Sequence, residues 1–329
     1  MSAPFIELHN VHKHYKQNRR SIFDDQPSVV KAMNGVSFSL YEGESFGLVG
    51  ESGSGKSTTG QVILQLLKQT SGSIYYQGTD VTTFTKQQLK SWRKKVQIVF
   101  QDPYASLNPK KTIEWILHEP LEIHHIGDKA SREEKILETI HDVGLDTSFL
   151  DRFPHELSGG QRQRVAIASA LVLDPEFIVI DEGVSALDVS VQAQILNLLT
   201  KLQKKYNLTY LFISHDLNVV QYFCDRIAIM YLGEIVELGS TEDIGTNPKH
   251  PYAEALFSAI PHLDVDEERI PLAGELPDPS NPPTGCPFHT RCAKAMDSCK
   301  SVKPVVHTMR AGYQVTCHLY TQEPEHQTS

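Results

Sequence analysis

The segment Gly50-Glu51-Ser52-Gly53-Ser54-Gly55-Lys56-Ser57 fits the pattern G-x-x-x-x-G-K-[ST] in full. It stands between the apolar run Phe46-Gly47-Leu48-Val49 and helical text from Thr58 to Leu67. A loop of this kind must leave a buried strand and enter a helix, which commits the chain to the α/β class. Glycines at 50, 53 and 55 let the backbone curl around an anion with its N–H groups inward, and the helix beyond adds the positive end of its dipole. Gly50 through Thr58 are therefore candidate triphosphate ligands, with Lys56 reaching the β- and γ-phosphates and Ser57 a Mg²⁺ ion.

Short apolar runs recur downstream as Gln97-Ile98-Val99-Phe100, Phe177-Ile178-Val179-Ile180 and Tyr210-Leu211-Phe212-Ile213, separated by helical text. Strands apolar on both faces and joined by helices predict a largely parallel sheet covered on both sides. Ahead of the loop, Phe5-Ile6-Glu7-Leu8 and Val36-Ser37-Phe38-Ser39-Leu40 read as strands, the second closing on the turn Tyr41-Glu42-Gly43-Glu44. The polar stretch Gln17 to Ser28, with Arg19, Arg20, Asp24 and Asp25, reads as a solvated connection. Asn108 to Phe153 lacks such strands and is expected to form a helical lobe interrupting the sheet. Proline becomes dense after Thr246, as in Leu276-Pro277-Asp278-Pro279-Ser280-Asn281-Pro282-Pro283, which predicts an irregular tail.

A phosphate loop needs a carboxylate at the end of a buried strand, and the run ending in Ile180 supplies Asp181 and Glu182. Asp181 is placed to hold Mg²⁺ through water, and Glu182 to polarise an attacking water as general base. The net charge of −9 argues against a broad surface for nucleic-acid phosphates, and no nucleic-acid partner is expected. No apolar run approaches the length that crosses a bilayer, and the start Met1-Ser2-Ala3-Pro4 lacks the features of a secretory signal.

Leu157-Ser158-Gly159-Gly160-Gln161 precedes the helical text Arg162 to Leu173, making a second anion-binding helix start. Here the sequence resembles the ABC ATPase family, and the resemblance extends in order along the chain. Tyr15 resembles the aromatic residue that stacks on adenine, and Gln101 the Q-loop residue that joins Ser57 and Asp181 around Mg²⁺. Ser185-Ala186-Leu187-Asp188 resembles the D-loop, and His215 the switch histidine that senses the γ-phosphate. The resemblance implies catalytic roles for Glu182, His215 and Gln101. It also implies that the turn from Leu157 to Gln161 closes over ATP held by a partner subunit. The fold implied is a P-loop NTPase (RecA-like) ABC nucleotide-binding domain over residues 1–245, with an antiparallel β subdomain and a helical lobe at about 102–165. A C-terminal extension follows over 246–329. One position departs from the family pattern: Gly183 replaces the usual proline after the glutamate, and a looser backbone is expected there.

Gln101-Asp102-Pro103-Tyr104-Ala105-Ser106-Leu107-Asn108-Pro109 and Asn247-Pro248-Lys249-His250-Pro251-Tyr252 resemble the oligopeptide/dipeptide and nickel importer branch, most like its F-type ATPase subunit. That resemblance implies a peripheral subunit on the cytoplasmic face of a prokaryotic membrane, importing oligopeptides or dipeptides. Its implied partners are a related ABC ATPase in a heterodimer, two transmembrane permease subunits and an extracellular or periplasmic solute-binding protein. A non-transport ABC ATPase acting on ribosomes or DNA predicts two cassettes or a long coiled-coil insertion, and neither is visible. A module that holds ATP without turnover is opposed by intact Glu182 and His215. Cys286, Cys292, Cys299 and Cys317 gather in the tail, where a reducing compartment favours metal over disulfides, although their spacing departs from common C-x-x-C zinc knuckles. In the importer branch a similar pattern ligates a [4Fe-4S] cluster; Zn²⁺ and free thiols remain as alternatives.

Overall fold

The computed structural model describes residues 3–16, 29–185, 187–260, 270–272 and 274–321, so the polar stretch Gln17 to Ser28 lies outside the described residues. Twelve strands alternate with helices along the described chain. They are β1 (Ile6–Lys16), β2 (Val29–Leu40), β3 (Ser45–Val49), β4 (Ser71–Tyr76), β5 (Thr79–Asp80), β6 (Val96–Val99), β7 (Phe177–Asp181), β8 (Thr209–Ser214), β9 (Arg226–Tyr231), β10 (Glu234–Ser240), β11 (Val306–Arg310) and β12 (Tyr313–Thr316). The helices are α1 (Lys56–Ile63), α2 (Lys86–Lys95), α3 (Pro103–Ser106), α4 (Ile113–Ile123), α5 (Lys129–Asp142), α6 (Gly159–Leu171), α7 (Val189–Tyr206), α8 (Leu217–Phe223), α9 (Thr241–Thr246), α10 (Pro251–Ser258) and α11 (Asp297–Ser301).

The strands form two sheets: a four-stranded one in the order β2-β1-β4-β5 and an eight-stranded one in the order β11-β12-β10-β9-β3-β8-β7-β6. The first is antiparallel; in the second, β9, β3, β8, β7 and β6 run parallel. Every residue of β3, β7 and β8 is buried. Alternate side chains enter two separate cores. Phe46, Leu48, Phe177, Val179, Leu211 and Ile213 pack toward the antiparallel sheet and α1. Ile178, Ile180, Tyr210 and Phe212 pack on the opposite face with α6, α7 and α8. A period of two with both faces covered explains why these strands read as unbroken apolar text.

The tail departs from expectation. Instead of an irregular segment it holds α10, α11 and the hairpin β11–β12, which extends the large sheet antiparallel to β10. The strand signal was short: Tyr313 and Val315 alone face inward, next to Gly312 in a left-handed turn conformation (φ 78°).

A buried carboxylate fastens this tail. Glu237 of β10 accepts the N–H groups of Lys249 (2.8 Å) and His250 (2.7 Å) and the hydroxyl of Tyr313 (2.6 Å). Burial raises its carboxyl above the usual range, and those three donors oppose the rise. His250 caps α10, its Nδ1 accepting the N–H of Tyr252 at 3.1 Å, and burial lowers its imidazole to about 3. The folded chain thus refuses a proton that the unfolded chain takes up below about pH 6.5. The sign follows: stability present above that pH is lost as pH falls toward about 3, at about 1.4 kcal/mol per pH unit from this residue. In urea titrations at pH 7 and pH 5, wild type is expected to lose about 2 kcal/mol more than His250→Asn, which keeps a capping acceptor. Equal losses would remove His250 as the source.

Candidate active site

Parallel strands end on one edge, so their C-terminal loops meet. The registers Val49 with Ser214, Asp181 with Ile213 and Val99 with Ile180 bring the phosphate loop, Asp181-Glu182, His215 and Gln101 side by side. This is the crevice beyond the carboxyl ends of the strands where open α/β sheets take ligands.

Gly55 opens α1 at φ 107°, and a Cβ there would stand 2.0 Å from the carbonyl oxygen of Ala32, so only glycine lets the loop run this close to β2. Lys56 is buried, its ammonium donating to the carbonyls of Gly50 (2.8 Å) and Glu51 (2.9 Å). Burial pulls that ammonium below the usual lysine range, while the carboxylates of Glu182, Asp181 and Glu51 hold it up. The Ser57 hydroxyl donates to Asp181 Oδ1 at 2.8 Å. Burial pushes the Asp181 carboxyl up, the Ser57 bond opposing and the Glu182 charge adding to the shift. A hydroxyl and a carboxylate oxygen already in contact form a hard-oxygen donor pair that fits Mg²⁺.

Glu182 stands one residue further, and its two carboxylate oxygens go to different partners. Gln101 Nε2 donates to one at 2.6 Å, and His215 Nδ1 is paired with the other at 3.2 Å. Its backbone has φ 49°, an uncommon conformation for a residue with a side chain, of the kind that gathers at functional sites.

These groups open on a cleft of about 390 Å³ lined by Val30, Lys31, Ala32, Ser52, Gly53, Gly55, Lys56, Ser57, Thr58, Gln101, Glu182, Leu232 and Pro279. Gly50, Glu51 and Ser54 lie in the loop behind it. Tyr15 is paired across the strands with Val30 at the rim and is 36% exposed, with the Lys13 ammonium 5.0 Å from its ring centroid. Among the described residues, nothing from Leu157 to Gln161 lines the cleft. Ser158 instead caps α6 in a reciprocal box with Gln161, at 2.9 and 3.3 Å. Gly159 and Gly160 face Leu187 and Val191. Asp188 caps α7 by accepting the N–H of Val191 at 3.0 Å, and Ser185 bonds back to the Glu182 carbonyl at 2.9 Å. Ala186 lies outside the described residues.

Comparison with known proteins bears on this geometry. Residues 33–185 match the ABC transporter family, and residues 236–299 match the oligopeptide/dipeptide transporter C-terminal region. The oligopeptide transport ATP-binding protein AppF of Bacillus subtilis (strain 168) is 50% identical over 321 residues, 96% of this chain and 97% of that one. The chain belongs to the ABC transporter family. The dipeptide transport ATP-binding protein DppF of Escherichia coli (strain K12) is similar at 46% over 325 residues, covering 98% of this chain and 96% of that protein. Among solved structures, a dimeric post-hydrolysis state of an ATP-binding cassette bound to ADP and Pi aligns with TM-score 0.63 at 32% identity, over 72% of this chain and 98% of that one. The fold of cbiO1 from Clostridium perfringens is also alike, with TM-score 0.65 at 24% identity, over 75% of this chain and 92% of that one. As an ABC ATP-binding subunit the chain hydrolyses ATP, with Mg²⁺ as the accompanying ion. No helix among the described residues is long and apolar enough to cross a membrane.

Sequence reasoning missed part of this ABC site. Lys31, Leu232 and Pro279 line the cleft, and Tyr252 and Arg291 hold Glu51 from behind. The motif containing Tyr252 carried a signal, but only as a family mark; nothing local marked Arg291.

The four tail thiols, candidate ligands of a [4Fe-4S] cluster or Zn²⁺ by their number and by the family resemblance, lie within electrostatic reach of one another. Among the described residues no group of three or more His, Cys, Asp or Glu side chains is arranged to hold a metal ion. The thiols are unpaired, and Cys286 senses the charges of Cys299, Cys317 and Cys292. Burial pushes Cys286 up to about 12 and Cys317 up to about 11, and a metal ion that bound them would displace those protons.

Gly183, expected to loosen the backbone, is instead tightly enclosed. A Cβ there would stand 2.9 Å from an Ile180 methyl and 3.1 Å from the Gln163 amide. Gly183→Ala is expected to cost about 1–3 kcal/mol through overpacking, read as a lowered unfolding midpoint; an unchanged midpoint would mean that the neighbours yield freely.

Proposed function

We propose that this chain powers the import of oligopeptides or dipeptides as one half of a two-subunit ATP sandwich, bound peripherally at the cytoplasmic face of the membrane. The observation that carries the reading is the division of anion-binding ends. Ser52, Gly53, Gly55, Lys56 and Ser57 of the phosphate loop line the chain's own cleft, and the turn from Leu157 to Gln161 lies outside it. A helix start with two glycines and a capping serine suits a phosphate, and in this arrangement the phosphate belongs to ATP on a partner. The similar cassette solved as a dimer supports the same assembly.

In this reading Tyr15 stacks on adenine, and Gly50 to Thr58 cradle the phosphates. Ser57, Asp181 and Gln101 hold Mg²⁺. Glu182 accepts a proton from the attacking water, and His215 meets the γ-phosphate. Gln101 and His215 already hold the Glu182 carboxylate in the crevice, so the base is oriented before nucleotide arrives. The stretch Ser185 to Asp188, of which Leu187 stands against Gly159 of the signature turn, links closure of one site to the other. Residues 1–245 form the nucleotide-binding domain, with the helical lobe at about 102–165, and 246–329 the extension. Phe100 and Tyr104, 41% and 53% exposed, stand at the entrance to the lobe and suit a permease coupling helix. The further partners are a related but different ABC ATPase, two permease subunits and a solute-binding protein. Peptide as cargo is supported by the names of the relatives and by the matched C-terminal region.

Glu182→Gln is expected to keep ATP binding while phosphate release from the assembled complex falls by about 10²–10⁴-fold. Wild-type turnover in that variant would sink the assignment of the base. Copurification with permease subunits and peptide-stimulated ATPase activity in liposomes test the cargo; stimulation by nickel but not by peptides would move the chain to the other side of its branch. A [4Fe-4S] cluster or Zn²⁺ in the tail would need its four cysteines deprotonated and drawn together, and their count and mutual electrostatic reach speak for it. Iron, sulfide and zinc analysis of the purified chain tests this, with four irons per chain carrying the cluster and neither metal above trace sinking both.

A further inference from the structure

Glu51, the second residue of the phosphate loop, is held at every polar group by something specific. Its backbone N–H donates to the hydroxyl of Tyr252 at 2.9 Å. Its carbonyl accepts the Lys56 ammonium at 2.9 Å and the Ser54 N–H at 3.2 Å. Its carboxylate takes a two-pronged grip from Arg291, with Nη1 to Oε2 at 2.6 Å and Nη2 to Oε1 at 3.1 Å. Tyr252 sits on α10 and Arg291 between Cys286 and Cys292, so both come from the extension, some 200 residues beyond the loop.

The pair differs from an ordinary surface ion pair. The Arg291 side chain is 5% exposed and that of Glu51 28%, and the contact is bidentate, the geometry in which guanidinium and carboxylate bind most strongly and most directionally. The guanidinium lies 5.9 Å from the Tyr231 ring centroid. Tyr231 meets Tyr252 and Phe288 edge-on, and Tyr252 and Phe288 meet at a tilt, with centroids 4.7 to 5.3 Å apart. The brace therefore stands on a rigid aromatic floor built by the large sheet and the extension together. Pro279 of the extension also reaches the nucleotide cleft.

We infer that Arg291, with Tyr252, is a positioning residue for ATP binding, through which the C-terminal extension sets the shape of the phosphate loop. The chain of contacts is short. Arg291 and Tyr252 fix Glu51; the Glu51 carbonyl fixes the Lys56 ammonium; Lys56 is the group that meets the phosphates. Without the brace the loop samples other backbone shapes, and ATP must order it on binding, which weakens affinity without removing any group that touches the nucleotide. The inference rests on the chain's being an ATP-binding subunit and not on the identity of its cargo.

The test is a Kd for Mg-ATP on the full-length chain, paired with KM and kcat in the assembled complex. Arg291→Gln is expected to raise Kd and KM about tenfold, with the effect on affinity exceeding that on kcat at saturating ATP. Arg291→Lys, which keeps the charge and one bond, is expected to fall between that variant and wild type. Arg291→Gln that folds and binds Mg-ATP as wild type does would overturn the inference, as would loss confined to kcat. Should Arg291→Gln fail to fold, Glu51→Gln removes the same grip from its more exposed end and is expected to raise Kd likewise; wild-type affinity there overturns the proposal. Wild type that binds no nucleotide would instead refute the ATPase reading, so the two failures are separable.

Discussion

The ammonium of Lys56 is buried in a loop whose carbonyls it holds together, and most of the architecture serves to keep it there. An isolated buried cation is expensive, so the site surrounds it with the carbonyls of Gly50 and Glu51 and with the carboxylates of Asp181 and Glu182 nearby. Those carboxylates can stand close only because β7 lies in the same parallel sheet as β3, one strand removed, with β8 between them. The sheet in turn keeps its order because its two faces drain into separate apolar cores, so that a one-residue slip of β7 or β8 would exchange every side chain between them.

Glu182 brings the same logic to the reacting end of the site. Both its oxygens are engaged by neutral or weakly basic groups from other strands' loops, Gln101 after β6 and His215 after β8. Its direct partners among the described residues are thus an amide and an imidazole, with the Lys56 ammonium felt only at longer range, which suits the base proposed for it. The left-handed backbone at Glu182 and the enclosure of Gly183 place the turn against the buried Gln163 of α6. The helix that begins at Gly159 thus packs behind Glu182, the base proposed above, while residues 157–161 at its start do not line the cleft.

Much of this was legible in the sequence because it is local. The glycine loop, the strand ending in Asp181-Glu182 and the capped helix start at Ser158 each declare themselves within a few residues, by spacing and composition. Parallel register then brings together whatever lies at the strand ends, which is why Gln101 and His215, named by resemblance to the family, meet at Glu182. The brace on Glu51 is of another kind: Arg291 is one arginine in a proline- and cysteine-rich segment, and its partner lies 240 positions away. The hairpin β11–β12 was hidden for a similar reason, since two inward side chains beside a turn are too few to set a period. The cysteines were legible as a cluster of four in the tail, but a count and a spacing say nothing of how deeply burial will hold the thiols in their protonated form.

The strand pairing of β10 with β12 also sets an order of events during synthesis. The edge of β10 has no partner until Tyr313 to Thr316 have emerged from the ribosome, although the other strands of the large sheet, apart from the closing hairpin, have been available since residue 240. An open edge next to a nearly finished sheet invites pairing with a second nascent chain. Residues 313–316 thus seal the sheet, and because the same extension carries Arg291, a chain interrupted before that arginine would have a cassette largely folded but with its phosphate loop still unbraced.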